Sequence, residues 1–116
     1  MTAPLLLLRV ARDGIAPEVT RPDPGLVVAG DPEHTTWNIE EVDGLWCGLW
    51  QSTPGQWRVS YAEWEYVHIL KGVTVLHGDD GSTVTLKAGD GWIIRPGYAG
   101  VWEVVETTLK EYVIRA

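Results

Sequence analysis

WRVSYAEWEYVHILKGVTVLHGDDGSTVTLKAGDGWIIRPG, residues 57–97, breaks short runs of β-branched and aromatic residues with glycine and aspartate at close intervals. WRVSY, EYVHIL, VTVLHG, STVTLKA and GWIIRP each have the length and composition of a strand, and turn residues separate them. Asp80-Gly81 lies between two alternating runs and predicts a hairpin, because a tight turn there needs positive φ. Gly72, Ala88-Gly89-Asp90 and Pro96-Gly97 mark the other breaks. The pattern continues outward into TTWNIEEV and LWCGLWQS on one side and VWEVVE and KEYVIR on the other. No stretch of helix length places apolar residues at i, i+3, i+4 and i+7. About nine short strands without helices predict an all-β sandwich or closed barrel.

The chain has 116 residues, enough for one domain and one core. Phenylalanine is absent, yet there are seven tryptophans, each ring burying on the order of 200 Å². That exceeds the usual need of a core this small, so some of them are free for a binding wall. A net charge of −7 argues against nucleic acid and anionic membranes as partners, since both require basic patches. The single cysteine, Cys47, excludes an internal disulfide and a cysteine-based zinc site. The opening MTAPLLLLRVAR has neither a basic n-region nor an apolar stretch of signal-peptide length, and the expected location is cytoplasmic. Pro17, Pro22, Pro24 and Pro32 exclude central strand from the N-terminal stretch. The reading is therefore one domain, 1–116, with an N-terminal arm over 1–34 and a barrel over 35–116. The arm is expected to wrap the barrel or reach a partner subunit.

The order of turn glycines and prolines carries a resemblance. DGLWCGLWQSTPGQW, EYVHILKG, LKAGDGWIIRPGYAGVWEV and KEYVI stand in the order and spacing of the paired cupin motifs. From Asp43 to Ile114 the chain resembles the small single-domain cupins grouped with the ureidoglycine aminohydrolase cupin domain. The resemblance implies an antiparallel jelly-roll β-barrel of the RmlC-like kind. It also implies a metal held by two histidines and a glutamate from the first motif and a histidine from the second. Here the residues depart from it. Depending on the anchor, the first-motif histidine positions fall on Tyr61 and Glu63 or on Val59 and Tyr61. The glutamate position falls on Glu65, and the second-motif histidine position on Gly100.

Strand side chains alternate faces. With Glu65 pointing inward, Trp57, Val59, Tyr61 and Glu63 share its side, while Trp64, Tyr66 and His68 face outward. Gly100, Trp102 and Val104 face inward on a later strand, and Trp92 and Ile94 on the strand before it. Glu65, Tyr61 and Glu63 are the candidate catalytic residues, because paired carboxylates beside a phenol in an apolar cavity suit acid–base work. The structural alternative ties one carboxylate to a strand edge, Arg58 or Arg95 and leaves the other in water. Trp57, Trp102, Trp92 and Trp50 are the candidate ligand-pocket residues, with Trp46 sharing the Trp50 face.

His68 is expected outside the barrel, His77 in solvent, and His34 without a fixed place. So scattered a set predicts no imidazole metal site. An all-oxygen site for Mn²⁺ or Mg²⁺ through Glu63 and Glu65 is left open. Cys47 reads as a small buried hydrophobe. Lys110, Tyr112 and Ile114 share one face and read as structural.

Three functions compete on these residues. The favoured one is a metal-poor cupin that binds a small organic ligand in a Trp/Tyr/Glu-lined pocket. The alternative is an enzyme, a hydrolase or isomerase working by acid–base or weakly metal-assisted chemistry. Ureidoglycine aminohydrolase activity itself is not carried over, because the imidazole ligands are missing. The third is a structural subunit with a filled barrel. Outward Trp64, Tyr66 and His68 suit a homodimer interface.

Overall fold

The computed structural model describes residues 6–116. The first five residues, part of the opening segment read above, lie outside the described residues. Among the described residues nine strands form: β1 (Glu18–Thr20), β2 (Val27–Gly30), β3 (His34–Val42), β4 (Leu45–Ser52), β5 (Gly55–Ser60), β6 (Trp64–Gly78), β7 (Thr83–Lys87), β8 (Gly91–Ile94) and β9 (Ala99–Arg115). One 3-10 turn, Pro24–Leu26, interrupts them. Among the described residues no helix is long and apolar enough to cross a membrane.

Every strand pairing is antiparallel. The long strands β6 and β9 pair along most of their length and serve two sheets at once. The C-terminal half of β9 and the N-terminal half of β6 join one sheet, in the order β1-β3-β4-β9-β6-β8. Their other halves join the second sheet, in the order β2-β5-β9-β6-β7. The result is a jelly-roll barrel, as the strand pattern and the motif order predict.

Two breaks expected from sequence are not chain reversals. EYVHIL and VTVLHG are one strand, and so are VWEVVE and KEYVIR. Gly72, read as a turn, sits at φ +91 in β6, where the register with β9 slips. A β-carbon at Gly72 would collide with the Thr107 carbonyl oxygen, so only glycine lets the strands approach here. This bulge lets one strand pass from the first sheet to the second. Beside it, the fully buried Thr74 hydroxyl donates to Thr108 Oγ1 at 2.8 Å, and Thr108 donates to the Glu106 carbonyl at 2.8 Å.

The segment before His34 adds an edge strand to each sheet: β1 extends β3, and β2 extends β5. Its prolines leave room only for such edges. The core between the sheets is built from Trp57, Val67, Ile69, Leu76, Leu86, Ile94, Trp102 and Val104. Toward the other end the barrel is not filled, and there it holds a cavity.

Candidate functional site

The cavity has a volume of about 480 Å³. Trp46 and Trp50 reach it from β4, Trp57 from β5, and Trp102, Lys110 and Tyr112 from β9. Tyr61 and Glu63 come from the turn between β5 and β6, and Glu65 from the start of β6. The alternation that sends Trp57, Val59, Tyr61, Glu63 and Glu65 to one side therefore leads all five to this space.

Glu65 is the polar centre. Its Oε1 accepts a hydrogen bond from the Tyr61 hydroxyl at 2.8 Å. Its Oε2 accepts one from Lys110 Nζ at 3.1 Å. The Glu65 and Lys110 side chains are only 4% and 7% exposed, so the ion pair is largely withdrawn from solvent. The Lys110 ammonium also lies 4.4 Å from the ring centroids of both Trp50 and Trp102, the position of a cation–π contact to each. The carboxylate partner is thus Lys110. Arg58 instead pairs with Asp79 at 2.9 Å on the surface.

Burial pushes the Tyr61 phenol well above its ordinary range, and the Glu65 charge and hydrogen bond push it further. Tyr61 therefore keeps its proton and acts as a donor. Tyr112 is pushed up to about 12, chiefly by burial, and its hydroxyl donates to Asn38 Oδ1 at 2.7 Å.

The aromatic wall is continuous. Trp57 and Trp102 are cross-strand partners and stack with centroids 6.3 Å apart. Trp50 meets Trp102 edge-on at 5.9 Å. His34, given no place by the sequence, packs 4.6 Å from Trp57 and 5.0 Å from Trp50. Burial, aided by the Lys110 charge, lowers its pKa to about 4, so it is neutral at physiological pH. Two polar atoms in this wall are buried without a protein partner: Nε2 of His34 and Nε1 of Trp102.

Trp92 does not line this cavity. It is 42% exposed and borders a second pocket, of about 380 Å³, with Leu76, Val84 and Tyr98. Its partner Val67 is fully buried, as alternation requires, but β8 is an edge strand, and at an edge the inner face opens to solvent. Cys47 is only partly buried; burial and the nearby Glu111 and Glu40 raise its pKa. His68 and His77 sit at the surface, paired with Glu111 and Glu103.

A metal of the cupin kind does not fit these residues. The first-motif positions supply a phenol and carboxylates, and Lys110 already places an ammonium 3.1 Å from the Glu65 carboxylate. A divalent ion bound to Glu65 would face that charge at close range in a poorly screened site. At Gly100, the second-motif position, a β-carbon would collide with the His77 carbonyl oxygen, leaving no room for a side chain. Among the described residues no group of three or more His, Cys, Asp or Glu is set to hold a metal ion. Of the two carboxylates of the all-oxygen alternative, Glu65 is paired with Lys110, and Glu63 lines the same cavity.

Lys110, Tyr112 and Ile114 correct the structural reading of that strand, for all three line the cavity. Their shared face was visible in the sequence; their register against Glu65 was not.

Comparison with known proteins agrees with the fold. The family model described as the EutQ-like cupin domain matches residues 39–112. A DUF861-family protein of unknown function from Pseudomonas syringae is 25% identical with a TM-score of 0.80, over 90% of this chain and 46% of that one. EutQ from Clostridium difficile is 17% identical with a TM-score of 0.66, over 72% and 63%. A predicted oxalate decarboxylase from Thermotoga maritima is 20% identical with a TM-score of 0.70, over 93% and 98%. The chain thus spans less than two thirds of the first two, and the last two likenesses show the fold alone. No curated protein matches.

Proposed function

The chain belongs to the family of EutQ-like cupin domains, and on that footing we propose that its barrel binds a small organic ligand in the aromatic cavity. The observation that carries this reading is a cavity of about 480 Å³ walled by Trp46, Trp50, Trp57 and Trp102 with the Tyr61–Glu65–Lys110 chain inside it. Pockets for small molecules measure about 300–1,000 Å³ and combine apolar walls with a few fixed polar groups. The indoles would stack on a flat body, while Tyr61, Glu65 and Lys110 hold one another in fixed positions beside it.

Native mass spectrometry of the protein as purified, followed by a tryptophan-fluorescence titration with a broad small-molecule panel, tests the proposal. Saturable quenching that is lost in Trp57→Leu, with the fold intact by circular dichroism, is the expected result. A panel that leaves the spectrum and the melting temperature unmoved would overturn it.

Acid–base catalysis is the second reading, favoured by the 2.8 Å bond from Tyr61 to Glu65. In it Tyr61 would donate a hydrogen bond or a proton to the bound molecule, with Glu65 positioning it. Glu65→Gln should then abolish turnover and leave binding in place; survival of turnover would exclude Glu65 from the chemistry.

A further inference from the structure

We infer that the ligand of this cavity carries a positively charged nitrogen, an inference that rests on the ligand-binding reading above. Glu18 from β1, Glu41 from β3 and Glu63 from the turn before β6 all line the same cavity. Glu18 and Glu41 are solvent-exposed and Glu63 partly so, which places them toward the open side. Among the described residues none of the three takes part in a salt bridge or side-chain hydrogen bond. Two strand carboxylates and one from a turn are thus left without a counter-charge among the described residues.

The interior does not offset them. Its one ammonium, Lys110, is matched by Glu65 and enclosed by Trp50 and Trp102. His34 is the other basic group, and burial keeps it neutral. Four carboxylates therefore line the space against one cation. An anionic ligand would add like charge to this field, and a neutral one would draw nothing from it. An amine would meet carboxylates on the open side and the indole of Trp46, whose ring quadrupole attracts a cation.

The cavity that these carboxylates border, about 480 Å³ and walled by indoles, is observed independently of their charge. The protein already shows the chemistry concerned: a carboxylate and two indoles hold an ammonium at Lys110. The rim offers the same carboxylate and indole groups to an external ammonium.

Benzylammonium, benzyl alcohol and benzoate share one ring and differ in charge, and titrating each against the full chain by intrinsic fluorescence and calorimetry tests the inference. Benzylammonium should bind about tenfold more tightly than benzyl alcohol at low salt, with benzoate weakest. That advantage should shrink as salt rises. Glu41→Gln with Glu63→Gln, both at accessible positions, should remove most of the preference for benzylammonium over benzyl alcohol. Equal or tighter binding of benzyl alcohol or benzoate overturns the charge assignment while the ligand-binding reading stands. Failure of all three, together with an unresponsive broad panel, overturns both.

Discussion

Lys110 Nζ and Glu65 Oε2 lie 3.1 Å apart in a site that solvent scarcely reaches. Neither charge has a second ionic partner, so each depends on the other. Removing one partner of a buried pair commonly costs about 3–5 kcal/mol, whereas replacing both with neutral groups costs far less. Lys110→Met should therefore lower the urea midpoint sharply, and Lys110→Met with Glu65→Gln should recover most of the loss. An unchanged m-value would show that stability alone has moved. A double variant as weak as the single would mean that the pair is not the source.

Tyr61→Phe removes the donor to Glu65 Oε1 and little else. Hydrogen bonds to charged groups contribute about 1.5–3 kcal/mol. Because Tyr61 is partly exposed, water replaces some of that, and a loss of about 1–2 kcal/mol is expected by chemical denaturation. No loss at all would place the hydroxyl in solvent.

His34 ties stability to pH. Its pKa falls from 6.5 to about 4 on folding because burial, and then the Lys110 charge, disfavour the imidazolium. Between these values the unfolded chain binds a proton that the folded chain refuses. The stabilisation is complete above about pH 6.5 and lost as pH falls toward 4, by at most about 1.4 kcal/mol per unit. His34→Gln should flatten the stability profile in that window. An unchanged slope would assign the acid sensitivity to other groups.

Thr74 and Thr108 should respond unequally to loss of their hydroxyls. Thr108→Val strands the Thr74 hydroxyl and frees the Glu106 carbonyl, at a cost of about 1–3 kcal/mol. Thr74→Val leaves the Thr108 donor satisfied and should cost less. Equal melting temperatures for the two variants would show that the chain of hydroxyls does not act as one unit.

Much of the barrel is legible in the sequence because strand alternation and turn chemistry are local. Trp57, Tyr61, Glu63 and Glu65 could be sent to one face by counting in twos. Lys110 could not be joined to Glu65, since the two lie 45 residues apart and meet only through the β6–β9 register. That register runs unbroken from Trp64 to Ile69 and slips only beside Gly72, which local rules read as a turn. Trp92 shows the same limit from the other side. Its parity was right, but parity does not say whether a strand lies at an edge. His34 gained its place only when β3 paired with β4 and brought it against Trp50.

Gly100 limits what substitution can install in this barrel. The His77 carbonyl occupies the volume that the first carbon of any side chain there would need, and the strands carrying both are hydrogen-bonded partners across Val101. A mutation that wrote histidine at this codon would deform the pairing of β6 and β9 before it supplied a ligand. Installing a histidine metal set thus demands a moved backbone, a vacated Lys110 and new imidazoles together. No single substitution at this position supplies a ligand while the backbone stays where it is.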